Sequence, residues 1–437
     1  MGRDVERQDR QFTIKRWHVI LAIVVVVAGL AGLYVAVRGG SLDRRLDALR
    51  AAGYPTSVAE FAERNKLPEG AANAAPTYMR AFAAFVRPAP DANVPYFGKA
   101  QWPDRGAPLP DPMAKAISEC LAANGNCLSL LHEAAGIGQC RYGWDYTKDV
   151  LQLGDLMSCT QLLALNAVSH AHRGDPNAIM ASFRDGLRLA DSLRTEPSLV
   201  GYLVRAHCHT VTIDGLERAL SLTAFTDRQS AELSDALAAT DASLDLIQAI
   251  VGERCFAVEH LRDPEFPSNP RQVGTLIRLS GFRRRTLFRV LDHEAECIEA
   301  AKLPEPQRLA KFRQIDKSLD DLPILQQPVR LVVPKMSYVA ALDLLSHAHL
   351  SLARTALAIE RYRLATGRPP EELNSLVPKY LAQVLLDPFD GHPIRCRREG
   401  SGYVLYSVGE DARDNAGREP NPKDRTAPSD LCFIVTR

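Results

Sequence analysis

Between Val19 and Val37 the chain reads VILAIVVVVAGLAGLYVAV, 19 residues without a charge. At roughly 1.5 Å of rise per residue, a helix of this length just crosses a hydrocarbon core of about 30 Å. Trp17 and Tyr34 lie near the two ends, where amphipathic rings favour the headgroup region, and Lys15 and Arg16 flank the run on its N-terminal side. A cleaved signal peptide has a shorter apolar stretch followed by a small-x-small site. Here Ala36-Val37-Arg38 follows, so the run reads as an uncleaved anchor. The expectation is a transmembrane helix over 17–38, meeting the lipid bilayer through 19–37. Arg3, Arg7, Arg10, Lys15 and Arg16 slightly outnumber Arg38, Arg44, Arg45 and Arg50. The positive-inside rule therefore leans toward a cytoplasmic tail over 1–16, with the C-terminal bulk extracytoplasmic and the chain single-pass in a bacterial inner membrane.

The remaining sequence is long enough for two or three domains, since one hydrophobic core serves about 100–200 residues. Lys plus Arg is 53 against Asp plus Glu 52, a balance that leaves no basic footprint for nucleic acid. Residues 39–113 read as a helical and Pro-rich connecting segment, with seven prolines between 86 and 113. Helical periodicity dominates 114–336. The phrase ALNAVSHAHRGDPNAIMASFRDGLRLADSL resembles one tetratricopeptide-type hairpin, with Gly174-Asp175-Pro176 as a helix stop followed by a helix start. About three stacked repeats are needed for a solenoid, so a helical-hairpin domain is expected in place of an array. Residues 337–437 begin with a long helix from about Ser337 to Ala365. Its stripe of Leu342, Leu345, His349, Leu352, Ala356 and Ile359 must pack on something, and it stops at Thr366-Gly367-Arg368-Pro369-Pro370. Strands follow over 394–398 and 403–408, with a last apolar run over 431–435.

Three His-x-His pairs, His170/His172, His207/His209 and His347/His349, invite a metal reading. On a helix, residues two apart point about 200° from one another, so no pair closes on one ion from its own helix. There is no Glu-x-x-His pair, no Gly-x-Ser-x-Gly elbow, no phosphate-binding glycine loop and no His-Glu-x-x-His helix. Nine cysteines form no CxxC pair. Cys120 with Cys127 or Cys140, and Cys396 with Cys432, are disulfide candidates outside a membrane; the alternative is that they are small buried apolar residues.

Four spaced motifs carry a resemblance: Tyr362 to Pro370, Leu376 to Leu381, Asp387-Pro388-Phe389, and Tyr403 to Asp411. In that order, over about 348–417, they resemble the C-terminal domain of the major pseudopilin of type II secretion systems. The resemblance implies a long helix capped by a small α+β unit, and it covers about a fifth of the chain. In a pseudopilin the membrane helix runs directly into this unit, whereas here roughly 300 residues intervene. Gln11-Phe12-Thr13-Ile14-Lys15 only faintly echoes a prepilin start, so the unit reads as a reused fold. The whole chain also resembles a family of membrane-anchored bacterial proteins that carry this ending, a resemblance that implies no activity. From the pseudopilin resemblance follows a calcium loop: Asp411 and Asp414 match its start and Asp430 its closing acidic residue. Calcium takes about 6–8 oxygens, so three carboxylates plus carbonyls would suffice. Arg413, Arg418, Lys423 and Arg425 lie in the same stretch, and the competing reading is a polar loop whose acids pair with these bases.

The expected fold class is therefore mainly α: an N-terminal transmembrane helix, a tetratricopeptide-like helical-hairpin domain, and a small C-terminal α+β pseudopilin-like cap. The expected function is a membrane-anchored extracytoplasmic interaction or scaffold protein of the cell envelope, linked to secretion and working through protein partners, with no catalytic residues assigned. The alternative is an envelope enzyme, hydrolytic or metal-dependent, with a site around His207, His209, Glu259 and His293.

Overall fold

The computed structural model describes residues 42–143, 151–262, 280–323, 329–330, 332–420, 424 and 427–437. One expectation is corrected at once. Among the described residues no helix is long and apolar enough to cross a membrane. The run 19–37 that carried the expected transmembrane helix lies outside the described residues, and the fold class they define is a mainly helical chain with one small antiparallel sheet.

In chain order the helices are α1 (42–51), α2 (Val58–Arg64), α3 (Ala75–Ala84), α4 (Asp111–Ala123), α5 (Gly125–Ile137), α6 (Leu151–His172) and α7 (Pro176–Asp191). There follow α8 (Leu199–Leu222), α9 (Asp227–Ala242), α10 (Leu246–Arg262), α11 (Ser280–Ala301), α12 (Glu305–Asp320) and α13 (Met336–Thr366). Local chemistry sets several of their ends. Asp175 caps α7 by accepting from the Ala178 amide, with Pro176 as the first helical residue. Ser198 caps α8, and Thr226 with Gln229 forms a reciprocal capping box on α9. Gly367, at φ 81°, closes α13 in the left-handed conformation before Pro369 and Pro370 forbid continuation.

α13 is buried on most of its sides, not along one stripe. Leu344 and Ala348 join a core with α8, α10, α11 and α12, while Leu350, Leu352, Leu357 and Ile359 join another with α6, α7, α8, α9 and the sheet. An apolar helix surrounded in this way needs no polar face. A third core gathers α3 to α8, and a fourth joins α1 to α10 and α11.

The sheet has the order β1 (Arg395–Glu399), β2 (Gly402–Ser407), β3 (Leu431–Val435), antiparallel throughout. Tyr403 pairs with Val435 and Leu405 with Phe433, and these four share the core with α13 and α8. β3 is an edge strand, and α8 covers its free edge. Glu217 accepts from the Ile434 amide at 2.6 Å, Ser221 Oγ from the Thr436 amide, and the Leu220 carbonyl from the Arg437 guanidinium. The disulfide candidates are corrected here. All nine cysteines are free; β2 lies between the strands of Cys396 and Cys432, and the Cys127 sulfur meets that of Cys159 at 3.9 Å.

Candidate functional site

A cavity of about 270 Å³ opens where the C-terminal ends of α5 and α7 meet the start of α3 and the segment after α2. Its lining includes Lys66, Tyr78, Cys140, Arg188, Asp191 and Arg194. The walls are fixed by backbone chemistry. Asn73 Oδ1 accepts from the amides of Ala75 and Arg141 while its Nδ2 donates to the Arg141 carbonyl, and the Ala74 amide donates to Gln139. Arg141 then donates to the Thr195 carbonyl and pairs with the buried Glu196 at 3.3 Å. Gly138 turns the chain out of α5 at φ 79°, a left-handed geometry that favours glycine.

Asp191 is the hinge of the site's electrostatics. Its Oδ1 accepts from Arg205 Nε at 3.1 Å, Arg205 Nη2 at 2.8 Å and His209 Nε2 at 3.1 Å. Arg205 and His209 are almost fully buried, and Arg205 continues to the Ser243 carbonyl at the end of α9. Burial works against the Asp191 carboxylate, yet the hydrogen bonds and charge of His209 and Arg205 hold its carboxyl down to about 2. Burial pushes the His209 imidazole below its ordinary value, so it donates to Asp191 as a neutral ring. With all three bonds on Oδ1, the second carboxylate oxygen keeps its acceptor capacity on the cavity wall. Arg188 and Arg194 are exposed, and their guanidinium groups form no hydrogen bond or ion pair among the described residues.

A second polar cluster ties α8, α9, α12 and α13 together. His347 Nδ1 meets Asp241 at 2.6 Å, Arg308 meets Asp343 at 3.4 Å, and the Tyr202 hydroxyl donates to Asp343. Burial opposes protonation of His347, but Asp241, Asp343 and Glu305 together raise its affinity for a proton. Each charged group here faces an opposite one, the arrangement of a buried tie between helices.

Of the residues singled out from sequence, His209 joins the Asp191 cluster and His347 the second one, while the three aspartates of the expected calcium loop take part in neither. Asp411 accepts from the Arg413 amide, and Asp414 accepts from the Ala416 amide and pairs with Arg395 at 3.3 Å. Asp430 is buried and accepts from the Asn415 amide at 3.1 Å and the Gly417 amide at 2.7 Å. Among the described residues no group of three or more His, Cys, Asp or Glu is placed to hold a metal ion. His207 is exposed while His209 is buried, His293 sits 3.6 Å from Cys297 on its own helix, and Glu259 is exposed on α10. No hydrogen bond or ion pair joins any two of these four among the described residues. Sequence reasoning missed the cavity itself. Arg188 and Asp191 lie three apart on one face of α7 and Ser192, Arg194 and Thr195 follow directly, but the other walls come from 65–78 and 134–140, far away in the chain.

Compared with known proteins, the chain matches no family model, no curated protein and no solved structure.

Proposed function

We propose that this chain is an interaction or scaffold protein of the cell envelope, associated with a lipid bilayer through its apolar run 19–37 and linked to secretion. The observation that carries the binding reading is the cavity bordered by Arg188 and Arg194, two cations without a side-chain partner among the described residues, beside a carboxylate that is already neutralised. Such a surface recognises a complementary group, and burial pushes the Cys140 thiol on its wall up to about 12, away from the thiolate a nucleophile needs. The separation of His207, His209, Glu259 and His293 supports the same side, because an enzyme built on them needs at least two to converge. The envelope placement rests on the run 19–37, and the secretion link on the motifs between Tyr362 and Asp411.

The test is a mild-detergent pull-down of the tagged full-length protein from its native membrane, with co-purifying proteins identified by mass spectrometry. Stoichiometric secretion or pilus components are expected. Recovery of the chain alone, under conditions that keep other envelope complexes intact, overturns the reading. A chain shortened by residues 1–38 that still sediments with membranes removes the bilayer association through 19–37.

A further inference from the structure

We infer that the cavity between α3, α5 and α7 is a recognition site for an acidic peptide segment, one carboxylate of which lies between Arg188 and Arg194. The inference rests on the interaction reading above and names the chemistry of the partner. Charge comes first. Lys66, Arg188 and Arg194 line the cavity and Arg205 stands behind it, against two carboxylates, Asp191 and Glu63. The site keeps a net positive charge of two. The Lys66–Glu63 pair is exposed on both sides, and a surface pair of that kind holds its partners weakly, so Lys66 is free to turn inward. Arginine forks match carboxylate geometry with two parallel hydrogen bonds, and neither Arg188 nor Arg194 is engaged elsewhere among the described residues.

Size and the single acceptor narrow the class. Sites for drug-sized ligands and cofactors measure about 300–1,000 Å³, and this cavity, at about 270 Å³, falls just below that range. It therefore holds a group of residue dimensions. The free oxygen of Asp191 needs a donor from the occupant, and the carboxyl is ionised across the physiological range. A sulfate ion brings acceptors only and would face Asp191 unfavourably, and a phosphate carries any proton it could donate on the same small anion that the guanidinium groups hold. A peptide brings both, with its side-chain carboxylate for the guanidinium groups and a backbone N–H for Asp191. The walls around it are already set by the Asn73, Gln139 and Arg141 hydrogen bonds, so little ordering is needed on binding.

The experiment is fluorescence anisotropy on the full-length protein in mild detergent, with a fluorescein-labelled Glu-rich octapeptide and its Gln counterpart. Free glutamate and inorganic phosphate serve as competitors. The Glu peptide is expected to saturate, the Gln peptide to bind about tenfold or more weakly, and the R188A/R194A double variant to lose about tenfold or more in affinity. Both arginines are exposed and without side-chain partners among the described residues, so the variant's melting temperature should match the parent's. Equal binding of the two peptides, or undiminished binding by the double variant, overturns the site. Phosphate competing as well as unlabelled peptide makes it an adventitious anion site only and overturns the peptide assignment, and free glutamate doing so reassigns the occupant to the amino acid. If the peptide fails while the pull-down returns envelope partners, the acidic occupant falls and the interaction reading stands.

Discussion

Asp191 takes three hydrogen bonds on one oxygen from two side chains that water hardly reaches, so its removal strands a buried guanidinium. Breaking a buried pair from one side costs about 3–5 kcal/mol; Asp191 is 27% exposed, which places Asp191→Asn near the lower end, about 3 kcal/mol. Urea unfolding reads this as a lower midpoint with an unchanged slope. The pH dependence has two stages. His209 binds a proton less readily folded than unfolded, so its contribution is full above the ordinary 6.5 and declines as pH falls below it. Asp191 is held at about 2, below its ordinary 3.8, so its contribution is full above 3.8 and is lost as pH falls through about 2. The lower stage should vanish in Asp191→Asn; its persistence would place the acid-labile carboxylate elsewhere. Asp430 poses the opposite case. Amides of Asn415 and Gly417 already aim their N–H groups at both of its oxygens, and a cation there would face three donors, counting Asn415 Nδ2. The melting temperature is expected to be the same in millimolar calcium and in chelator. Asp430→Ala should lower stability by about 1–3 kcal/mol in both, from the orphaned amides. A calcium-dependent rise that Asp430→Ala abolishes would establish the calcium loop.

Among the elements, what could be read from sequence was whatever neighbouring residues decide. Gly174-Asp175-Pro176 marks the α6–α7 turn and Gly367 the end of α13, because a left-handed cap and a prolyl ring act within one turn of helix. The strands over 394–398 and 403–408 were legible from the Asp387-Pro388 turn and the Gly400-Ser401-Gly402 loop beside them, and 431–435 as an apolar run, but their order was not. That β2 lies in the middle, with Cys396 and Cys432 on opposite sides of it, is set by tertiary pairing and the fit of β3 against α8. The cavity was illegible for the same reason, since Lys66, Tyr78, Gly138, Asp191 and Arg194 meet only after four segments have packed. One close approach links this packing to the site. A Cβ on Gly252 of α10 would lie 2.7 Å from the Pro197 carbonyl carbon, against backbone that no side-chain rotation can relieve. Gly252→Ala should therefore push back the 195–198 turn, costing about 1–3 kcal/mol and shifting Thr195 on the cavity wall. Denaturation together with the octapeptide titration would register both effects, and an unchanged stability would show that the contact yields without strain.

For the whole molecule, the question is whether the sheet is a detachable lid or part of the main core. Leu405, Tyr403, Phe433 and Val435 lie in one apolar cluster with Ile179, Phe183, Leu216, Leu350 and Leu357, so the strands and α7, α8 and α13 bury the same surface. The polar contacts agree: β3 and the C-terminal residues donate to Glu217, Ser221 and Leu220 of α8, and Arg437 pairs with Glu360 of α13 at 3.0 Å. Elements that share a core and its edge hydrogen bonds lose stability together. Phe433 is 2% exposed, and truncating a buried phenylalanine costs about 3–5 kcal/mol. Phe433→Ala should accordingly move the loss of helical circular dichroism to lower denaturant in a single transition, even though the residue lies on a strand. If helical signal were lost at the parent's midpoint while protease cut first between 387 and 437, the sheet would be unfolding alone. Its contacts with α8 and α13 would then be a docking surface and not a common core.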